Sequence, residues 1–488
     1  LENENQEKIF YSYKNTLKKI NDDSININNV FDIVIANYLA SGSVKQDSSL
    51  EEFVVNQNMD SKSIAVTLYT LKQNLQAKLK ELGMQTLYYD VEIKLAYILF
   101  RMEGSGFNVD YTVLDNLSEK YLKKMNNLKD KIHEQAGVKF NVNSPKQLSE
   151  ILFDKLNIKT YNNNKKSTGM SVLEKIRGKH PIIELVIEYR KVSKLLNTYI
   201  EAFKKLVSPK DTIIHTEFNQ TLTSTGRLSS SNPNLQNIPI RTPQGRELRK
   251  MFISRFANGK LVSADYSQIE LRLLAHYSKD EKLVNAYKQG KDIHSQTASD
   301  IFGIPLDKVT KEQRRDAKAV NFGIIYGISD YGLSQNIGST RVNAKDYIDK
   351  YFETYPGVKK FMDNAVKDAK QKGYVSTIMG RTRIIKEINS KNYFLKQAAQ
   401  RAAMNMPLQG SASDIIKKAM IKVYNRIKTE KLESKLILQV HDEIIVDAKQ
   451  DELQKIKKIL KEEMENVTKL NIPLVVDINV GDSLYDAK

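Results

Sequence analysis

An α+β chain of several packed units is the fold class the sequence predicts, and three observations predict it. Stretches such as YLKKMNNLKDKIHEQ and IIELVIEYRKVSKLLNTYIEAFKKL carry apolar residues at three-and-four spacing, the period of a half-buried helix. TIIHTEFNQTLT, KMFISRF and KLVSADYS alternate or run apolar in the manner of strands. The length of 488 residues also exceeds what one hydrophobic core holds, so about two to four units are expected.

In chain order, Leu1 to Leu87 reads as a mixed α/β unit, and Val109 to Leu206 as long helices. Strands follow, and helices return from Ile269 to about Lys372. KLILQVHDEIIVDAK gives two short strands joined by a tight turn at His441-Asp442. The most loop-like stretch is Asn162 to Lys166, and no repeat of fixed period is evident. A strand-rich platform interrupted by two helical insertions is the arrangement these pieces imply.

Composition narrows the partners. Forty-one per cent hydrophobic residues and a mean hydropathy of −0.47 describe a water-soluble chain, without an apolar run long enough to span a bilayer. The opening LENENQEKIF is too polar for a signal peptide and lacks Met, as a segment of a longer protein would. Without cysteine, a metal must sit on oxygen or imidazole, which fits a cytoplasmic protein. The net charge of +18 favours a polyanionic partner, although solvated surface lysine accounts for it equally well.

Two acidic clusters stand out in so basic a chain. SADYSQIELR sets Asp265 at a strand end with Glu270 at the start of the next helix, and VHDEIIVD sets Asp442 and Glu443 at a hairpin tip. Joining a nucleotide to a primer calls for an activated 3′-hydroxyl and a neutralised triphosphate. Two Mg²⁺ ions about 4 Å apart supply both. Such ions keep several waters, so two or three carboxylates on adjacent strands suffice. Taken singly, each acid serves as readily to cap a turn or a helix.

RRDAKAVNFGIIYG places Arg314, Lys318, Phe322 and Tyr326 four apart, on one slowly drifting helix face that Gly327 ends. Two cations followed by two aromatics suit a nucleoside triphosphate, the cations meeting phosphates and the rings covering sugar and base. An ordinary amphipathic helix with buried rings would show the same spacing. STGRLSSSNPNLQNIPIR contributes Arg227, Asn234, Gln236, Asn237 and Arg241, and QRAAMNMPLQGSASDIIKKA places Arg401, Asn405 and Gln409 on one face. Such donors suit the minor-groove acceptors that all correct base pairs present alike, though Asn and Gln also stabilise loops.

Together DYSQIELR, RxxxKxxxFxxxYG and VHDE resemble the three motifs of DNA polymerase family A, the bacterial DNA polymerase I family. The resemblance covers nearly the whole chain, clearly from about Tyr88 onward. It implies a right hand: palm from 88–108, 207–270 and 391–488, thumb from 109–206, fingers from 271–390, and an exonuclease-like remnant at 1–87. It implies that Asp265 and Asp442 hold two Mg²⁺ ions (Mn²⁺ as substitute), with Tyr266 among the ligands and Glu443 in support. Gln268 and His294 join Arg314, Lys318, Phe322, Tyr326 and Glu270 around the incoming deoxynucleoside triphosphate. Glu270 and Tyr326 exclude a ribose 2′-hydroxyl, and Phe322 disfavours dideoxynucleotides. Arg227, Asn234, Gln236, Arg241, Arg401, Asn405, Gln409 and His441 contact primer-template DNA, with Lys165 and Lys166 tracking phosphates. The implied protein is a monomer acting in replication and repair at the bacterial nucleoid.

Proofreading is not implied. Asp32 in FDIVIANYL resembles one exonuclease position, the Asp-x-Glu strand would lie before Leu1, and DSKSIAVTL offers Ser63 where the last motif brings an Asp. The stretch STGMSVLEK is shorter than the family's thumb tip. A single-subunit RNA polymerase, a reverse transcriptase and a non-catalytic nucleic-acid-binding protein are the rival readings. Glu270 speaks against the first, the RxxxKxxxFxxxYG helix against the second, and Asp265, Asp442 and Glu443 against the third.

Overall fold

A computed structural model describes residues 3–20, 27–42, 52, 63–160, 166–207 and 212–488. The chain divides into two compact units. One comprises Leu1–Ser105, Thr216–Asn232 and Phe256–Val480, and the other Gly106–His215, Pro233–Arg255 and Gly481–Lys488.

The first unit begins with strand β1 (Lys8–Phe10), helix α1 (Tyr13–Ile20), strand β2 (Val30–Asp32) and helix α2 (Ile33–Ser41), with β1 and β2 parallel. Helices α3 (Ile64–Glu81) and α4 (Ile93–Ser105) follow, joined in part by a π-helical turn at Tyr88–Glu92. The same unit then contains β3 (Lys260–Tyr266) in a four-stranded sheet with β4 (Lys435–Val440), β5 (Glu443–Ala448) and β6 (Val476–Gly481). The strand order is β4-β5-β3-β6, and β5 runs antiparallel to both neighbours. Leu261, Val262 and Ala264 of β3 and Ile444 to Val446 of β5 are buried whichever way they point. A sheet covered on both faces takes such continuous apolar runs.

Between β3 and β4 lie the helices that matter most for the site: α5 (Ile269–Ser278), α6 (Ile293–Phe302), α7 (Lys311–Ile325) and the 37-residue α8 (Tyr393–Thr429). After β5, helix α9 (Leu453–Glu465) buries Ile456, Ile459, Leu460 and Met464, a three-and-four stripe, and keeps its lysines outward.

A buried ionic knot holds this unit together. Glu92 accepts from Arg381 and from Lys417 (2.8 Å), and Asp414 accepts from Arg381 (2.7 Å) and Thr377 (2.6 Å), all far from water. Burial opposes the Glu92 charge, but Lys417 and Arg381 outweigh it and hold the carboxyl at about 2. At Asp414 burial outweighs Arg381, Thr377 and Lys417 and pushes the carboxyl up.

The second unit carries the long helices Tyr111–Ala136 and Pro181–Leu195, which pack on each other. Asp110 caps the first through Val113 N (3.0 Å), and Gly137 closes it in the left-handed region. KMFISRF departs from the strand expected there. Arg249–Met251 is a 3₁₀ turn, and Phe252 and Ile253 form only single bridges, to Val109 and Ser483. Its apolar residues are buried singly rather than as one face of a sheet.

Candidate active site

The antiparallel register of β3 and β5 sets Glu443 opposite Asp265. Beyond the strand ends, Tyr266 donates its backbone N–H to the carbonyl oxygen of Asp442 (3.1 Å). These two contacts bring together the acidic clusters that sequence alone left far apart. The turn from β4 to β5 is tight because His441 adopts φ +54°, and the Gln439 side chain donates to the His441 carbonyl.

Strand alternation decides which side chains face the site. Asp265 lies on the same side as Glu443, and Tyr266 is turned the other way. The Tyr266 phenol is buried and donates to the Met464 carbonyl (2.7 Å), so what Tyr266 offers a metal is its backbone rather than its phenol. Glu443 is buried as well, and its carboxylate accepts from the Ser263 hydroxyl.

Around Asp442 negative charge is in excess. Burial pushes its carboxyl up to about 7; Arg227 acts against this, and Glu270 and Asp265 add to it. Asp442 and Glu270 share Arg227, with Asp265 close by, a donor set that a divalent cation would relieve. Among the described residues no cluster of three or more His, Asp or Glu forms a ready-made cage. Two carboxylates suit an ion that keeps waters and takes phosphate oxygens.

Beside this pair, Glu270 is 5% exposed at the start of α5. One of its carboxylate oxygens accepts from Arg227 and the other from the Tyr326 hydroxyl (3.1 Å). Arg227 is presented by a turn in which Gly226 has φ +82°. A Cβ there would come within 2.6 Å of the buried Arg381 Nε, so glycine is required twice over. The expected duplex contact is thus an ion-pair partner of Glu270 in this structure. Gln268, directly before α5, has φ +54° and accepts from the Tyr287 hydroxyl (3.3 Å).

Helix α7 opens with a capping box between Thr310 and Gln313 and ends at Tyr326, its C-cap. Lys318 sits 5.9 Å over the Phe322 ring, and the Phe322 and Tyr326 rings lie 6.5 Å apart and nearly parallel. The fourfold spacing does place the four side chains in succession along one helix. Gly327, at φ +61°, lets the chain turn close to α8, since a Cβ there would meet Arg401 Cγ at 2.9 Å.

Two residues of this region, Asp292 and Asn321, escaped the sequence. Asp292 accepts from Arg314 through both carboxylate oxygens (3.1 and 2.7 Å) while capping α6 at Ser295 (2.7 Å). Although burial opposes its charge, these donors hold its carboxyl at about 2. Fully buried Asn321 donates to His294 Nδ1 (3.1 Å) and bonds to Thr297 (3.1 Å). With Nδ1 accepting, the proton of His294 sits on Nε2. Burial, with Lys318 and Arg314 nearby, brings the imidazole down to about 4 against the pull of Asp292. The polar Asn321 inside the apolar stretch AVNFGII was the available signal.

On α8, Arg401 is exposed and Asn405 and Gln409 are half-buried, one turn apart in succession. The Asn405 Oδ1 is buried without a hydrogen-bond partner among the described residues. Asn234 caps the short 3₁₀ turn Leu235–Asn237, accepting from Gln236 N (3.0 Å) and Asn237 N (3.2 Å), which is the loop-stabilising role. Asn234, Gln236 and exposed Arg241 belong to the second unit. Lys166, in the same unit, pairs with Asp154, and Lys165 lies outside the described residues.

In the amino-terminal part, Asp32 caps α2, accepting from Ile35 N (2.9 Å) and Tyr13 N (2.6 Å). Ser63 directly precedes α3 without a side-chain cap. Among the described residues no helix is long and apolar enough to cross a membrane.

Set beside known proteins, residues 111–486 match the model of DNA polymerase family A. DNA polymerase I of Bacillus subtilis (strain 168) is 47% identical over 439 residues, which is 90% of this chain and 50% of that protein. DNA polymerase I of Caldicellulosiruptor bescii is 44% identical over 493 residues, 99% of this chain and 58% of that one. Among solved structures, the POL domain of Pol1 from M. smegmatis, in complex with DNA primer-template and dNTP, superposes with a TM-score of 0.91. It is 34% identical and covers 99% of this chain and 87% of that one. The α+β platform with its paired acids is therefore a polymerase fold. The chain belongs to DNA polymerase family A, whose members use divalent metal ions. It spans about half the length of the curated relatives it matches.

Proposed function

We propose that this chain adds deoxynucleotides to the 3′ end of a DNA primer under the direction of a template strand, in replication and repair. The observation that carries the reading is the meeting of Asp265 and Asp442 beside the Glu270–Tyr326 contact. A non-catalytic DNA-binding protein has no need to gather acids where its partner's phosphates would lie.

In this reading Asp265 and Asp442 hold two Mg²⁺ ions, which when bound activate the primer hydroxyl and neutralise the leaving pyrophosphate. Arg314 and Lys318 take the phosphates, and His294 offers its Nε2–H to them. Phe322 and Tyr326 cover sugar and base, with Gln268 nearby. The sheet with 88–108, 207–270 and 391–488 is the palm, 109–206 the thumb and 271–390 the fingers. Arg401, Asn405, Gln409 and His441 line the duplex from the palm, and Asn234, Gln236 and Arg241 add contacts from their own unit. Arg227 exchanges Glu270 for the primer terminus when DNA binds.

The amino-terminal segment acts as a scaffold without proofreading. Asp32 supports this, since both its carboxylate oxygens are engaged by backbone donors.

Primer extension with deoxy- and ribonucleotides side by side, with and without Mg²⁺, tests the proposal. Template-dependent extension by deoxynucleotides that requires the metal is expected. Binding of primer-template without extension would overturn it, and Asp32-dependent removal of a mismatched primer end would overturn the scaffold reading.

A further inference from the structure

Arg227 is presented by residues 220–228, the loop of an antiparallel hairpin whose strands, Glu217–Asn219 and Ser229–Ser231, are three residues each. Strands so short fix the ends of a loop but not its middle, which side chains must hold if it is to keep one shape. At its start Gln220 donates to the Glu92 carbonyl (2.8 Å) and to the Glu92 carboxylate. In the middle, the hydroxyl of Tyr38 donates to the Thr223 carbonyl (2.6 Å), reaching it from helix α2, 185 residues earlier in the chain.

Thr223 passes this grip on. Its carbonyl also accepts from Gly226 N (3.4 Å), and its hydroxyl donates to the Arg227 carbonyl (2.7 Å). Arg227 in turn reaches Glu270, whose other oxygen takes the Tyr326 hydroxyl. A run of hydrogen bonds thus leads from Tyr38 through Thr223 and Arg227 to the Glu270–Tyr326 contact. Tyr38 is itself firmly placed: Asp32 caps α2 at Ile35 N (2.9 Å), Gly42 N closes it on the Tyr38 carbonyl (3.0 Å), and Phe31, Ile35 and Leu39 are buried. A buried tyrosine that only fills space needs some acceptor for its hydroxyl, and that accounts for a bond of this kind. It does not account for the acceptor, a residue whose carbonyl and hydroxyl both hold the Gly226–Arg227 turn.

We infer that Tyr38 is a positioning residue of the polymerase site, holding Arg227, through Thr223, in place for the end of the primer. The amino-terminal segment then does more than support the fold: its helix α2 braces an arginine of the site. The inference rests on the proposed role of Arg227 at the primer terminus and adds the residue that sets its place.

Single-turnover incorporation by the whole chain on saturating primer-template, over a range of deoxynucleotide concentrations, tests the brace. It would be run on the parent, Tyr38→Phe, Thr223→Val, Arg227→Ala, and each of the first two combined with Arg227→Ala. Tyr38→Phe keeps the ring and Thr223→Val the shape of the side chain, so both should fold. Tyr88→Phe, which removes another buried hydroxyl of the same region, bonded to Asp32 N (2.7 Å) and to the Asp32 carbonyl (3.0 Å), is the control for general loosening. Expected is a maximum rate about fivefold lower in Tyr38→Phe and in Thr223→Val, the factor that one neutral hydrogen bond supplies, with a half-saturating nucleotide concentration moved less than about twofold. Tyr88→Phe should match the parent. On the Arg227→Ala background neither substitution should lower the rate further, because the residue they act through is gone. A parental rate in Tyr38→Phe beside a slow Arg227→Ala, a further loss on the Arg227→Ala background, or the same loss in Tyr88→Phe would overturn the inference and leave the polymerase reading standing. A parental rate in Arg227→Ala would overturn the primer-terminus role of Arg227 and the inference with it.

Discussion

The Tyr326 hydroxyl donates to one carboxylate oxygen of Glu270 over 3.1 Å, while Arg227 occupies the other oxygen. A carboxylate held from both sides is a stiff wall where the sugar of an incoming nucleotide would lie. In the proposed reading a 2′-hydroxyl would need both room and a free partner, and the pair would deny it each. Glu270→Ala should therefore raise ribonucleotide incorporation relative to deoxynucleotide at least about tenfold, the equivalent of about 1.4 kcal/mol in the barrier. Steady-state kinetics with both substrates check this, and an unchanged ratio would make Glu270 only the first-turn acid of its helix. Phe322→Tyr adds a hydroxyl on the same face and should ease dideoxynucleotide incorporation.

His294 lies in the same pocket but should not titrate in the working range. Its imidazole, brought down to about 4 by burial and nearby cations, is neutral from pH 6 to pH 8. Single-turnover rates of the parent should then show no inflection near 6.5, the ordinary histidine value. Asn321→Asp places an acid at Nδ1, favours the imidazolium and should bring an inflection into that range. A profile that Asn321→Asp leaves unmoved would contradict the proposed tautomer.

Glu92 makes a claim on stability rather than on catalysis. Its carboxyl falls from 4.5 to about 2 on folding. A depressed acid stabilises the fold above its unfolded value, and that contribution is lost as pH drops from about 4.5 towards 2. Glu92→Gln leaves Arg381 and Lys417 buried without their shared anion and should cost about 3–5 kcal/mol. Chemical denaturation at pH 7 measures the loss. The difference between variant and parent should shrink as the pH is lowered through 4, and a constant difference would count against the linkage.

What could be seen in the sequence was what is local. VHDE between two apolar runs gave the hairpin tip, and the fourfold spacing from Arg314 to Tyr326 gave a helix face. The Glu92–Arg381–Lys417 knot was hidden, because each residue looks like ordinary surface charge until chain segments nearly 300 residues apart are packed. Asp292 was hidden for the same reason, its partner Arg314 lying on the next long helix. KMFISRF misled because burial of scattered residues in a 3₁₀ turn imitates strand alternation. At Tyr266, one step along the strand from Asp265, the side chain points to the opposite face, so sequence alone left open which of its atoms the site could use.

The proposed activity rests on Asp265 and Asp442 acting as one unit. The most direct measurement is single-turnover nucleotide incorporation by Asp265→Asn and Asp442→Asn at saturating Mg²⁺, alongside primer-template affinity for each. The account predicts that both variants bind DNA as the parent does and lose incorporation by about a thousandfold or more, some 4 kcal/mol. Near-parental incorporation by either variant would contradict it.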